Sequence, residues 1–301
     1  MGVLAIIAAL LLEQWRPIGD RKSWSAFLTG AANWFEASFN AGERRHGTVA
    51  WLVAVLPAAI AALALHYLLA WLHPLLALAF NTLALYLTLG FRQFSHFFSG
   101  IQVAVRDGEI DRARELIGVW RGELGTYRSR EEVIRLAIEE ALVASHRHVF
   151  GVVFWYMLLP GPSGAIVYRL AVFLERRWGG LGAFGRTATR IRNLLEWPAA
   201  RLTAAAFAVV GDFEDAVYCW RTQARAWPDP EMGIVLAAGA GAIGVRLGMP
   251  LGEIEGPVSR PDLGVGEAAD TPFLDSTVGL LWRSLVLWVF VLIVLSASRV
   301  F

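Results

Sequence analysis

The apolar run from Val49 to Leu72 is interrupted only by Pro57 and His66. A bilayer-spanning helix needs roughly 20 mostly apolar residues, so this run is long enough to cross. His73-Pro74 follows. Proline disfavours helix at the residue before it and suits the first turn of the helix it opens. A second run, Leu75 to Phe91, then continues. The pair predicts a helical hairpin in the membrane. A third run, Val286 to Ala297, extends back through Leu285, Trp282, Leu281 and Leu280 and predicts a further spanning helix.

Composition agrees with this partition. Hydrophobic residues make up 56% of the 301 and charged residues 18%, with a mean hydropathy of +0.50. A soluble domain carries about 25% charge. Disordered, collagen-like and disulfide-scaffold chains are excluded. The 27 Lys+Arg against 26 Asp+Glu leave a net charge of +1, which offers no basic stripe for nucleic acid. Lys22 is the one lysine, and every other basic residue is arginine. Cys219 is the single cysteine, so no intramolecular disulfide can form.

Three apolar stretches are less simple. Met1 to Leu12 lacks a basic leader and ends at Glu13 rather than at a small-residue cleavage site, unlike a cleaved signal peptide. Val149 to Leu174 is broken by Pro160-Gly161-Pro162-Ser163-Gly164. It reads either as a kinked span or as two half-helices of about 12 residues, about 18 Å each, that enter and return. Gly233 to Val245 is rich in small residues, which would suit a backbone loop approaching a ligand but are read first as close helix packing. Arginine-bearing segments within 13–47, 92–147 and 176–201 are expected on the cytoplasmic side of a bacterial inner membrane. That arrangement favours re-entry of 149–174, with about four to six membrane segments in all.

Within the polar part, Phe94 to Leu116 has helical spacing of apolar residues, with a turn at Asp107-Gly108. Ser129 and Glu132 form a capping box opening another helix. Its apolar face is Val133, Ile134, Ala137, Ile138 and Ala141, and it carries Glu139 and Glu140. No long strand alternation occurs. The fold class is all-α: a polytopic integral membrane helical protein with amphipathic cytoplasmic helices. It is read as a single membrane-embedded domain over 1–301, with a cytoplasmic helical insert at about 92–147 and an acidic, irregular polar loop at about 252–276.

Residue chemistry narrows the function only partly. There is no P-loop and no nucleophile elbow, and Gly239-Ala240-Gly241 lacks the setting of a dinucleotide site. His146-Arg147-His148, near Glu139 and Glu140, admits a metal site, but residues 146 and 148 leave a helix on different faces, which favours an interfacial polar collar. Glu196 precedes the apolar stretch Leu202 to Val210. An ionised group at membrane depth is costly and is usually paired or functional, so Glu196–Arg201 or Arg190–Glu196 pairs are expected.

The residues from Ala137-Ile138-Glu139 through Val153-Phe154-Trp155-Tyr156 to Tyr168-Arg169 carry a resemblance, as do Thr189-Arg190 through Glu196-Trp197 to Thr203-Ala204. So do Ala238 to Gly248 and the stretch Gly108 to Ile117 with Asp111-Arg112-Ala113-Arg114. Over about Leu10 to Pro250 the chain resembles the CobD/CbiB family of cobalamin-biosynthesis membrane proteins, and their relative AmpE. The Phe-Trp-Tyr segment and Ala200-Arg201-Leu202-Thr203 also look like AmpE, whereas Gly244 to Gly248 looks more like CobD/CbiB.

The resemblance to CobD/CbiB implies an inner-membrane ligase. It would join an aminopropanol-type group to the side-chain carboxylate of adenosylcobyric acid, consuming ATP, with Mg²⁺ as the expected cofactor. The implied partners are the lipid bilayer and a corrinoid substrate, with no nucleic acid. Arg92, Arg121, Arg190 and Arg201 would bind phosphate or corrinoid carboxylate. Glu139 and Glu196 would be the catalytic acids, binding Mg²⁺ or acting as base. Several family motifs are altered. Val-Gly-Arg-Asp stands as Val119-Trp120-Arg121-Gly122, and Glu-Ser-x-x-Glu-Asn as Glu139-Glu140-Ala141-Leu142-Val143-Ala144. Asn-Thr-Leu-Asp stands as Val172-Phe173-Leu174-Glu175, Arg-Leu-Asp-Asp as Arg190-Ile191-Arg192-Asn193, and Ser-Pro-Asn-Ala-Gly as Asp229-Pro230-Glu231-Met232-Gly233. These changes leave two further readings beside the ligase: an AmpE-like non-catalytic sensor or modulator of cell-wall stress or β-lactamase induction, and a transporter using the broken segment at 160–164.

Overall fold

A computed structural model of the chain describes residues 2–15, 21–122, 129–250 and 260–298. The early part of the expected acidic loop, with Glu253 and Glu255, lies outside the described residues, as does Arg16. Among the described residues the chain forms α1 (Gly2–Trp15), α2 (Arg21–Phe39), α3 (Arg44–Leu72), α4 (Pro74–Thr88), α5 (Phe91–Arg106), α6 (Ile110–Arg121) and α7 (Arg130–Ser145). A π-helical turn, His146–Phe150, leads into α8 (Gly151–Leu158), α9 (Ser163–Trp178), α10 (Gly182–Val210), α11 (Phe213–Thr222), α12 (Pro230–Ile243) and α13 (Thr271–Ser298). No strand is present among them. Two isolated bridges, Val245 with Glu267 and Leu247 with Leu263, tie the loop after α12 to itself. The all-α class holds.

The helix boundaries follow local chemistry. His73 ends α3 and its side chain accepts a hydrogen bond from the Leu75 amide, while Pro74 opens α4. Gly108 adopts φ +79° between α5 and α6. Ser129 and Glu132 cap α7 reciprocally. Asp229 caps α12 ahead of Pro230, and Gly244 closes that helix in the left-handed region. The polar loop is shorter than the sequence suggests. α13 begins at Thr271, whose amide is taken by Asp270 at 2.7 Å, so residues 271–276 are helical.

Two compact units divide the chain. The first comprises Met1–Gly90 and Gly151–Pro198, the second Phe91–Phe150 and Ala199–Phe301, the third boundary falling inside α10.

In the first unit α3 packs on α2, α4 and α9, with α1 against α4 and α8 against α9. Trp51, Val55, Leu174, Trp178 and Phe184 form a buried core with Ala32. α3 meets α10 so closely that a Cβ at Gly47 would strike the Phe184 carbonyl, and Thr48 and Thr187 share a hydroxyl hydrogen bond of 2.8 Å. Residues 149–174 are not two equal half-helices. After the π-helical turn the chain reaches Leu158, turns through Gly161 at φ +59°, and resumes as the 16-residue α9, which runs on to Trp178. Gly164 lies against the Trp155 carbonyl.

In the second unit α7 is the central helix, contacted by α5, α6, α12 and α13. That position explains why nearly all of Val133 to Ser145 is buried, charged residues included. The small residues of α12 serve packing, as their spacing predicts: a Cβ on Gly239 would meet the Leu142 side chain, and one on Gly241 the Asp215 backbone. Cys219 on α11 is fully buried, and burial pushes its thiol up to about 11. Asp275 on α13 takes Arg106 and Gln102 of α5, each at 2.7 Å.

Candidate functional site

The deepest charged cluster of the second unit grows from Glu139. It sits in the middle of α7 and is 3% exposed. One carboxylate oxygen accepts the Gly248 amide at 2.9 Å, and the other accepts an Arg260 Nη2–H at 2.6 Å. Arg260 also donates from Nε to the Met249 carbonyl at 3.2 Å, and its guanidinium lies 5.2 Å from the centre of the Trp227 ring, a cation–π distance. The turn these groups hold is tight. Gly248 has φ +77°, and a Cβ there would strike the Pro261 carbonyl. Met249 has φ +60°, a strained conformation for a residue with a side chain. Arg135, one turn before Glu139 on α7, is 4% exposed, and its Nη2 lies 3.4 Å from the Pro250 carbonyl. Burial lowers its pKa; Glu139 opposes the shift, Arg260 adds to it, and Glu131 and Glu132 oppose it more weakly.

Among the described residues of the same unit, three further part-buried ion pairs stand out. Arg121 meets Glu140 at 2.8 Å, Arg147 meets Asp229 at 3.3 Å, and Arg201 meets Glu231 at 2.7 Å. The Asp229-Pro230-Glu231 start of α12 thus grips the π-helical turn through one acid and α10 through the other. In the first unit, Glu196 is fully buried 3.8 Å from Arg192, which also reaches Glu175 at 3.5 Å.

The six residues singled out in the sequence therefore fall into both units. Glu139, Arg92, Arg121 and Arg201 belong to the second, and Glu196 and Arg190 to the first. Glu139, Glu196, Arg121 and Arg201 each meet a charged residue outside that set. Arg92 and Arg190 are exposed. Glu196 pairs with Arg192, and Arg201 pairs with Glu231. His146 is not part of an interfacial collar. It is fully buried, bonds Thr203 at 2.9 Å, and is pushed down to about 3 by burial and then by Arg147. Among the described residues no group of three or more His, Cys, Asp or Glu could hold a metal ion. Arg260, Arg135 and the Gly248 amide escaped sequence reasoning; only the Gly244 to Gly248 stretch signalled their neighbourhood.

The profile of the family described as CobD/Cbib protein matches residues 6–280. The chain belongs to the CobD/CbiB family. Among curated proteins, the cobalamin biosynthesis protein CobD of Stutzerimonas stutzeri is 33% identical over 301 residues, covering 96% of each chain. That of Chromobacterium violaceum is 36% identical over 208 residues, covering 67% of this chain and 66% of its own. A 90-residue stretch is 39% identical to the CobD of Mycobacterium tuberculosis. No solved structure matches. These relatives lend no support to the AmpE-like reading. The CobD/CbiB match takes in Glu139, Arg260 and all the ion pairs described above, so the buried cluster lies inside the family's own region.

Proposed function

We propose that this chain acts in cobalamin biosynthesis as a membrane-embedded amide ligase. It would join an aminopropanol-type amine to a corrinoid side-chain carboxylate, with ATP consumed. The observation that carries the reading is family membership over 6–280 together with near full-length similarity to a protein named for cobalamin biosynthesis. The chemistry suits an arginine-rich, water-poor site. A carboxylate is a poor acyl donor until one of its oxygens leaves as phosphate, so the site must hold several anionic oxygens at once. Guanidinium forks do this bidentately.

In this reading Arg92 and Arg190, exposed, meet incoming anions, and Arg121 and Arg201 bind phosphate or corrinoid carboxylate by competing with Glu140 and Glu231. Glu139 fixes Arg260 by charge, and Glu196, in the first unit, is the second carboxylate this reading assigns as base. The described residues offer no protein-only cage for Mg²⁺. Both Glu139 oxygens are already engaged, and no set of three acids converges among the described residues. No step is assigned to the metal.

The same proposal places the protein in the bacterial inner membrane as a multi-pass chain with its basic segments cytoplasmic. Two helices support it. α3 and α13, of 29 and 28 residues, are long and apolar enough to cross. Both carry exposed large apolar residues, among them Leu56, Ile60, Leu68, Phe290, Ile293 and Val294, a surface that suits lipid. α4, at 15 residues, extends only about 22 Å and needs neighbours to cross a 30 Å core.

The test is complementation of a strain lacking the ligase, with corrinoid amide measured after feeding adenosylcobyric acid. Amide formation is expected. Normal membrane expression with no amide would overturn the ligase reading.

A further inference from the structure

We infer that Arg135, with Arg260 behind it, forms a buried oxyanion subsite that takes a phosphate or carboxylate group of a ligand. Arg121, Arg147 and Arg201 each have a carboxylate of their own within 2.7 to 3.3 Å. Glu139 has both oxygens held, by Arg260 and the Gly248 amide, and although Glu139, Glu131 and Glu132 all pull electrostatically on Arg135, none of them is shown in an ion pair with it among the described residues. Arg135 is left with one long bond, 3.4 Å, to the Pro250 carbonyl, and its Nε has no partner among the described residues. A guanidinium carries five N–H donors, and one that is 4% exposed has surrendered nearly all its water. A buried cation with no carboxylate in ion-pair contact is disfavoured, and burial lowers its pKa against the pull of Glu139, Glu131 and Glu132. An oxyanion seated on the Arg135 fork supplies the missing charge with matched bidentate geometry.

The surroundings are built to stay in place when it binds. Glu139 and Arg260 clamp the Gly248-Met249 turn independently of Arg135, and Arg260 is braced on Trp227. Among the described residues, the long Pro250 contact is the side-chain bond of Arg135 that a ligand would displace. The ligand's identity rests on the ligase reading, in which a phosphate comes from ATP or a phosphorylated amino alcohol and a carboxylate comes from the corrinoid.

The experiment uses the full chain in detergent micelles. Its thermal midpoint is followed against inorganic phosphate, ethanolamine phosphate and acetate, each compared with chloride at equal ionic strength. Saturable stabilisation by at least one oxyanion is expected. Preference for the phosphates or for acetate identifies which ligand group the subsite takes. R135Q should weaken that binding at least tenfold, and R135K should retain part of it. If R135Q does not fold, the wild-type titration and R135K still decide. No oxyanion-specific shift in the wild type, or unchanged affinity in R135Q or R135K, would overturn the subsite. Arg135-dependent binding without amide synthesis would overturn only the ligase reading. Amide synthesis without Arg135-dependent binding would overturn only the subsite.

Discussion

Glu139 anchors a turn, a second arginine and a stacked tryptophan with two hydrogen bonds. Glu139→Gln keeps the shape and removes the charge, leaving the Arg260 guanidinium without its carboxylate. Removing one partner of a buried ion pair costs about 3–5 kcal/mol, so E139Q should unfold well below the wild type in a thermal or denaturant series, with E139A lower still. His146 gives a pH signature. Its folded pKa lies near 3 against an ordinary 6.5, so the fold holds the neutral ring. Its contribution is fully present above pH 6.5 and is lost as the pH falls towards 3, with a slope approaching about 1.4 kcal/mol per pH unit. H146Q should flatten that limb by one proton in a stability–pH profile. At this scale the sequence spoke unevenly. Glu139 stood out through a family motif, but Arg260 lies 121 positions away in a stretch without periodicity, and nothing local ties a loop arginine to a helix acid. The pairing exists because α7 is enclosed on several sides and its acid must find a cation.

Elements were more legible, because their signals are local. Pro74, the Asp107-Gly108 turn and the Ser129–Glu132 box each mark a boundary that the folded chain keeps. Ser129→Ala should cost about 1 kcal/mol by removing a cap, measurable as a lower unfolding midpoint. The start of α13 was illegible for a physical reason. Asp275 looks like a loop residue in an acidic run, but it faces Arg106 and Gln102 of α5, and that tertiary bond brings the acidic turn into the helix. The α8–α9 break shows a second limit. Proline and glycine announced the interruption, yet only packing set the lengths on either side. Gly164→Ala places a methyl against the Trp155 carbonyl and should destabilise by about 1–3 kcal/mol, read as earlier proteolysis between α8 and α9.

For the molecule as a whole, apolar surface decides the environment. Phe290 on α13 is 61% exposed, an unfavourable surface in water and an ordinary one in lipid. Phe290→Asp should lower the share of protein recovered in carbonate-washed membranes, since an acid at the centre of a span costs about 2.5–3.5 kcal/mol on insertion scales. Unchanged recovery would count against α13 as a span. The all-α class was readable from helical periodicity and apolar runs alone, whereas the division into two compact units was not, because each unit collects segments distant in sequence. Cys219 has a practical consequence here. The chain's single thiol is sealed beneath its neighbours and held protonated at neutral pH, so the native protein should be dark to maleimide dyes. A cysteine introduced at Trp71 or Trp34 would then report its side of the bilayer against a silent background, with no need to strip the wild-type chain first.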